Sequence, residues 1–496
     1  MISDKIQAII LAAGKSTRFN TGKSKQLVHI CGRPMILYPL KALDVLKIPK
    51  TVVIGKQSEE ISDEIKSSGI SDVDFIEQKE LNGTGGAVLS SMPKWKRDNI
   101  LIVNGDLPLI TSDMLKRLCT KHVKDDASIS FFTSYVLNPH GYGRVIDSNG
   151  RVSIIEEKAC NKQQRDVNCI NAGIYLIKRK FLEKNIEIIK KNKVTGEYHF
   201  TDIVIMASEK GLTINTISVP YDNVRGVNTL RDLWEVEQIK RSEIIDYWMS
   251  KGVRFELAQS IHVDLSVKIG RGSFIGTGVH LLQDTTIGEN CFISAFTIIE
   301  NTTVGDNTRV HSHSVIQDSK IGKNIHVGPF ARLRNNVVLK DGCNIGNFVE
   351  IKNSTIESGT KAKHLAYLGD ATIGSNANIG AGTITCNHDG VKRNKTIIED
   401  NAYIGSNNTL VAPLTVSKNA FTAAGSTITR DVPEGDLAIG RSRQENKEGY
   451  ACKLRKQKEQ KEAVETKTDK KKEENTDLEN HFLGAIKVKT ASNKTL

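Results

Sequence analysis

The chain has 496 residues, 39% of them hydrophobic and 25% charged, with a formal net charge of +12. That length exceeds one hydrophobic core and calls for two to four domains at roughly 150 residues each. No run of about 18 apolar residues occurs, which excludes a membrane-spanning helix. The opening MISDKIQAIILAAGKS lacks a basic flank and passes from an apolar strand straight into a glycine loop, so no secretory leader is expected. Eight cysteines without a C-x-x-C pair exclude a disulfide scaffold and zinc-finger spacing, and they fit a reducing cytoplasm. The positive charge invites nucleic acid, yet no recognition motif accompanies it. Residues 451–496 hold 12 Lys/Arg against 8 Asp/Glu, so a third of the excess lies in one low-complexity stretch.

Residues 1–228 alternate short apolar strands with helical stretches. Strands are predicted at Ile6–Leu11, Thr51–Ile54, Ile100–Val103, Ser128–Ser134, Val152–Ile155 and Gly173–Ile177. Their Val/Ile-rich, non-alternating character predicts a sheet buried on both faces, the doubly wound, Rossmann-like α/β pattern. Residues 229–252 carry Leu230, Leu233, Trp234, Ile239, Ile244, Ile245 and Trp248 among charges. They read as one connecting helix closed by Lys251-Gly252.

The texture changes over 253–450. Aliphatic-Gly pairs recur at Ile269-Gly270, Ile275-Gly276, Ile287-Gly288, Ile321-Gly322, Val327-Gly328, Ile373-Gly374 and Ile379-Gly380, often six or twelve residues apart. This hexapeptide period is the signature of a parallel β-helix. One aliphatic residue per short strand would point into the core, and the glycine would turn the corner. At about 18 residues per coil, roughly ten coils would stack into a column about 45–50 Å tall. Beyond these lies a lysine-rich tail, 451–496, expected to be unstructured apart from fragments of helix. Its one apolar island, His481–Val488, has no assignment.

The first chemistry-bearing motif is Leu11-Ala12-Ala13-Gly14-Lys15-Ser16-Thr17-Arg18, directly after the opening strand. Small residues let backbone N–H groups approach a phosphate, which Lys15 and Arg18 can neutralise. The neighbouring TRFNTGKS fails the Walker A pattern, having Thr where its first Gly belongs. Asp106 follows an apolar strand at its C-terminal end, where open α/β sheets place ligands. His311 and His313 share a strand spacing and form a conceivable metal pair, but no third ligand is evident.

Further motifs follow in order: Lys25, Gln78, Gly83-Thr84-Gly85, Asn104-Gly105-Asp106, Gly141-Tyr142-Gly143-Arg144, Glu156, Asn171, Gly196-Glu197-Tyr198 with Thr201-Asp202, and Gly226-Val227-Asn228. The hexapeptide half adds GPFARLR (328–334), VEIK (349–352), HLAYLGD (364–370), Asn378 to Thr383, and Cys386 to Gly390. Together they resemble the bacterial bifunctional N-acetylglucosamine-1-phosphate uridylyltransferases/glucosamine-1-phosphate acetyltransferases, over residues 1 to about 450. The resemblance implies a nucleotidyltransferase domain followed by a left-handed β-helix, a homotrimer, and two reactions. The β-helix would acetylate glucosamine-1-phosphate with acetyl-CoA, and the N-terminal half would couple N-acetylglucosamine-1-phosphate to UTP. It makes Asp106 and Asn228 the Mg²⁺ ligands and gives the phosphates to the 11–15 loop, Arg18 and Lys25. Gln78, Gly83 and Thr84 would read the uracil, Asn104 and Gly105 would belong to the same pocket, and Gly143, Glu156 and Asn171 would read the sugar.

An imidazole, the side chain that titrates nearest neutrality, suits deprotonation of a sugar ammonium, and Arg334 and Lys352 can clamp an anionic sugar phosphate. The resemblance makes His364 that base, with Arg334, Lys352, Tyr367 and Asn378 on glucosamine-1-phosphate. It gives acetyl-CoA to Ala381, Asn387, His388, Ser406, Ala424 and Arg441. This chain departs from the family at Ser16 (usually Gly), Asn104 (Tyr), His388 (Tyr) and Arg393 (Lys), and a side chain at 16 could crowd the triphosphate. Three alternatives stand beside this reading. They are an enzyme with one live half, a non-catalytic assembly subunit of the same two modules, and an ADP-glucose or dTDP-glucose type of nucleotidyltransferase. Lys15, Arg18, Lys25 and Asp106 argue against a scaffold, and HLAYLGD and NIGAGTITCN against a plain nucleotidyltransferase.

Overall fold

Strand Ile6–Leu11 is hydrophobic at consecutive positions because both of its faces are covered. Ile6, Ala8 and Ile10 pack into one apolar cluster and Ile9 into another. The computed structural model describes residues 4–14, 19, 24–56, 58–148, 150–193 and 196–491, with residues 474 and 481–491 described through the backbone only. The N-terminal sheet runs Ile214–Ser218, Ile129–Tyr135, Cys169–Lys178, Asn99–Asn104, Ile6–Leu11, Lys50–Ile54, Val73–Glu77. Every strand predicted from the sequence is present. Val73–Glu77, Arg144–Ser148 and Ile214–Ser218 were not predicted, since two are edge strands with few buried residues and one is a hairpin arm buried only over Arg144 and Val145. The sheet is mixed rather than wholly parallel, because Cys169–Lys178 runs antiparallel to both of its neighbours.

The connecting helix spans Leu230–Ser250, and Thr229 and Asp232 close a capping box at its start. Its Val236, Ile244 and Ile245 join Met35 and Tyr38 of the N-terminal half and Phe255, Val263 and Ile275 of the β-helix in one apolar cluster. Residues 1–439 accordingly form one compact unit.

The β-helix has three faces. The first carries the strands from Arg254–Phe255 to Leu437–Ala438, the second begins at His262–Val263, and the third is a nine-stranded sheet from Lys268–Ile269 to Leu414–Val416. All strand pairings are parallel, and the inward positions keep aliphatic on aliphatic: Ile275 on Ile293, Ile287 on Val304, Ile293 on Val310. Each coil thus places one aliphatic residue per strand in the column's core.

The glycines of the aliphatic-Gly pairs mostly do not turn the corners. The left-handed backbone falls two residues later, at Gly272 (φ 76°), Asn290 (φ 54°), Asn307 (φ 56°) and Asn324 (φ 56°), a conformation that Asn tolerates. The pair glycine is there for close approach: a Cβ on Gly270 would sit 2.4 Å from the carbonyl carbon of Gly288 in the next coil.

The tail differs from expectation. Residues 440–496 form a separate unit in which Tyr450–Ala491 is one continuous helix. Its Lys, Glu, Gln and Ala are strong helix formers, no proline interrupts them, and pairs such as Lys458–Glu462 (3.7 Å) lie at helical spacing. Among the described residues no helix is long and apolar enough to cross a membrane.

Gly270→Ala forces a methyl against backbone that cannot move aside. It is expected to cost on the order of 1–3 kcal/mol, read as a lower urea midpoint, while leaving both proposed sites intact.

Candidate functional sites

Asn99–Asn104 and Ile6–Leu11 end side by side, Leu11 paired with Asn104, and their C-terminal ends open into a cavity of 680 Å³. Of the residues assigned to the nucleotide site, the cavity is lined by Leu11, Ala13, Gly14, Lys25, Gln78, Gly83, Thr84, Asn104, Asp106, Gly143, Glu156, Asn171 and Asn228. Ala12 is turned into the core instead, and Gly105 is buried with its N–H on the Leu11 carbonyl (2.9 Å). Lys15, Ser16 and Arg18 lie outside the described residues.

One corner of the cavity gathers charge. The buried Lys25 ammonium lies 2.6 Å from Asp106 Oδ2, 3.0 Å from the Val227 carbonyl and 3.4 Å from Asn228 Oδ1. Asn228 is fixed by the helix that follows, its N–H donating to the capping Asp232 (3.0 Å). The opposite wall is built from hydrogen-bonded loops. The buried Gln78 amide donates to the carbonyl of Glu80 (2.9 Å) and so shapes the turn before Gly83. Gly83 holds φ 104°, and a Cβ there would meet the Tyr198 carbonyl oxygen at 2.7 Å. Glu156 accepts from the Thr201 hydroxyl (3.2 Å), and Asn171 donates to the Tyr175 hydroxyl. Tyr175 is buried, and that burial pushes its phenol far up, so it stays a neutral hydrogen-bonding partner. The sequence reading gave no role to Thr201 or Tyr175; Thr201 at least sat in a motif, whereas Tyr175 reads as an ordinary strand aromatic.

On the β-helix, two edges of the second face carry the remaining candidates. At the corner between first and second faces, His364 begins a column that continues through Ala381, Ser406 and Ala424. It is held by Gly382 N–H on Leu365, Asn407 N–H on Ala381 and Gly425 N–H on Ser406 (2.6, 2.7 and 2.8 Å). The exposed His364 ring places Nδ1 3.0 Å from Asn347 Oδ1. At the far edge, Arg334 and Lys352 are register partners on successive coils. Arg334 donates twice to Glu350 Oε1 (2.8 and 2.7 Å). Lys352 is buried 3.8 Å from Asp370, which also accepts from Asn353 and Asn387. Burial opposes ionisation of Asp370, but the two amides and the Lys352 charge outweigh it and hold the carboxyl below its usual range. Tyr367 stands between the two edges, its hydroxyl 3.5 Å from Asn387 Nδ2.

One chain does not assemble every residue assigned to acetyl transfer. Asn378 lies on the first face, paired with Lys361 and Tyr403, away from Arg334 and Lys352. Asn387 is a buried partner of Asp370, and His388 belongs to the exposed 388–393 turn built on Asp389. Arg441 lies in the separate tail unit. Glu350, Asn347 and Asn353 were not singled out from sequence, although all three fall within or beside the VEIK motif. His311 and His313 do not form a pair: His311 stacks on His326, and His313 lies between Phe296 and Phe330. No cluster of three or more metal-type His, Cys, Asp or Glu ligands occurs among the described residues.

Asp370→Asn leaves a buried ammonium without its carboxylate and is expected to cost about 3 kcal/mol near neutral pH, read by urea unfolding. The folded-state pKa is lowered, so this contribution is present above the ordinary value of 3.8 and disappears as pH falls through the lowered one. The gap between wild type and variant should therefore close in acid.

A nucleotidyl transferase family model matches residues 7–242, a GMPPB C-terminal domain model 257–340, and a hexapeptide repeat of succinyl-transferase 395–430. The bifunctional protein GlmU of Thermodesulfovibrio yellowstonii is 40% identical over 455 residues, covering 91% of this chain and all of that protein. GlmU of Thermosipho africanus is 42% identical over 444 residues, 88% of this chain and 95% of its own. Among solved structures, UDP-glucose pyrophosphorylase complexed with UDP-glucose matches 48% of this chain at 15% identity, with a TM-score of 0.40. With two-fifths of its residues shared along the whole length of such relatives, the chain belongs to the family of bifunctional GlmU proteins.

Proposed function

We propose that this chain carries out two consecutive steps of UDP-N-acetylglucosamine synthesis. Acetyl-CoA acetylates glucosamine-1-phosphate on the β-helix, and UTP then couples to the product in the N-terminal cavity with release of pyrophosphate. The observation that carries the reading is the presence, on one chain, of two separate residue sets of different chemistry. Lys25, Asp106 and Asn228 converge in one, and His364 stands on the same β-helix face as Arg334, Lys352 and Tyr367 in the other.

For uridylyl transfer, a phosphate oxygen of the sugar attacks the α-phosphorus of UTP, the bond to the β-phosphate oxygen breaks, and pyrophosphate leaves. The protein's share is positioning and charge neutralisation. Lys25, with Lys15 and Arg18 of the glycine loop, neutralises phosphate. Gln78, Gly83 and Thr84 hold the uracil, and Glu156 and Asn171 hold the sugar hydroxyls. The Asp106 carboxylate, the Asn228 amide oxygen and the Val227 carbonyl form a hard, all-oxygen set already converging on one cation, which fits Mg²⁺. When bound, that ion would add further neutralisation of the triphosphate.

For acetyl transfer, His364 takes a proton from the sugar ammonium. The freed amine attacks the thioester carbonyl, the C–S bond breaks, and the CoA thiolate leaves to be protonated. Arg334 and Lys352 hold the sugar phosphate, each kept extended by its own carboxylate. Ala381, Ser406 and Ala424 give a small-residue track for the pantetheine. A homotrimer would complete this site from neighbouring chains, in keeping with the placement of Asn378 away from Arg334 and Lys352 on one chain. A reducing, cytoplasmic setting fits eight free thiols.

The test is a pair of assays on wild type, His364→Ala and Asp106→Ala, with molar mass from light scattering. One assay follows CoA release, the other pyrophosphate release. His364→Ala should lower acetyl transfer by on the order of 10²–10⁴ and spare uridylyl transfer, and Asp106→Ala should do the reverse. A wild-type protein inactive in both assays would sink the reading.

A further inference from the structure

His364 is exposed, on a corner where a side chain could rotate freely, yet its ring is not free. Asn347 lies directly opposite it on the neighbouring coil as its register partner, with Oδ1 3.0 Å from Nδ1. Both residues sit immediately before the left-handed residue that turns their corner, Phe348 (φ 58°) and Leu365 (φ 38°). The strands on either side are locked by pairing of Ile345 with Ala362 and Val349 with Ala366. Asn347 is half-buried, and the ladder fixes its backbone directly opposite His364.

We propose that Asn347 is the positioning residue for His364, holding the imidazole as the Nδ1–H tautomer so that Nε2 presents its lone pair to the substrate amine. A carboxamide oxygen only accepts, so the ring nitrogen facing it must carry the proton. The other nitrogen is then the basic one. A neutral amide does this without the charge that would stabilise the imidazolium and weaken proton release after transfer. The charged groups nearby on the packed elements are Lys361 and Lys363 on the same strand, and Glu350 and Lys352 on the coil of Asn347. Glu350 is engaged by Arg334 and Lys352 by Asp370. The coil on the other side presents uncharged Asn378, Ala381 and Gly382. The amide is therefore the group that selects the tautomer.

The inference rests on His364 being the base of acetyl transfer, and the experiment separates the two. Acetyl-transfer kcat and KM are measured against pH for wild type, Asn347→Leu, Asn347→Asp and His364→Ala, with uridylyl transfer as the control for an intact chain. Asn347→Leu should lower kcat by at least about tenfold with KM nearly unchanged. Asn347→Asp keeps an acceptor and adds a negative charge, so it should retain most of kcat while the acidic limb of the profile moves up by about one pH unit. Wild-type kcat and an unmoved limb in both Asn347 variants, with His364→Ala inactive, would overturn the positioning role and leave the base intact. Full acetyl transfer by His364→Ala would instead remove the base itself, and the proposal with it. Should Asn347→Leu fail to fold, the displaced or unmoved limb of Asn347→Asp decides alone.

Discussion

Successive coils of the β-helix lie backbone against backbone, and the chemistry of that half depends on this spacing. Strands about 4.8 Å apart bring side chains at matching positions of neighbouring coils into hydrogen-bonding reach. Asn347 meets His364 in this way, and Arg334 stacks on Lys352. The second pairing would be repulsive if left alone. Glu350 on the coil of Lys352 and Asp370 on the coil beyond it supply the opposing charges, so two cations can stand side by side without the column flying apart. The pair glycines make the spacing possible, since a methyl group at those positions meets backbone of the next coil.

The N-terminal cavity reaches its geometry by another route. Its floor is the C-terminal ends of parallel strands, and its walls come from elsewhere in the sheet. The antiparallel strand Cys169–Lys178 contributes Asn171, and the residues before the connecting helix contribute Asn228. That helix does double duty. Its capping box sets Asn228 beside Lys25 and Asp106, while its apolar side joins the core that continues into the β-helix. Disturbing the helix start would therefore be felt in the cavity as well as at the junction.

Much of this was legible in the sequence because the repeated element is its own signal. A six-residue period of Ile-Gly can be satisfied in few ways, and the strands of the first domain announce themselves by unbroken Val/Ile runs. Val73–Glu77 and Ile214–Ser218 were missed because edge strands need not be apolar throughout. The corners were misread for a different reason. Glycine in such a motif serves either conformation or proximity, and only the neighbouring coil, eighteen residues away or thereabouts, says which. In the sites, the residues proposed to hold substrate were named by motif. Their supports, Glu350, Asn347 and Tyr175, were not, since a strand Glu, Asn or Tyr has no local mark of what it faces. The tail helix escaped notice because it has no apolar side, and only its propensity speaks for it.

The corner next to His364 also bears on assembly. Below it runs a column of stacked side chains, Phe296, His313, Phe330 and Phe348, ending in Leu365, all with left-handed φ. Elsewhere on the β-helix the same backbone conformation is taken mostly by Asn, Asp and Gly, which adopt it at little cost, whereas a bulky side chain there is strained. The four apolar members are also 49–61% exposed on the single chain. A strained and solvated aromatic column confers nothing on a monomer. Covered by a neighbouring copy it would return both costs through burial, and it would bring that copy's residues alongside His364. Assembly and completion of the acetyl site would then be one event, with the column as its apolar seam.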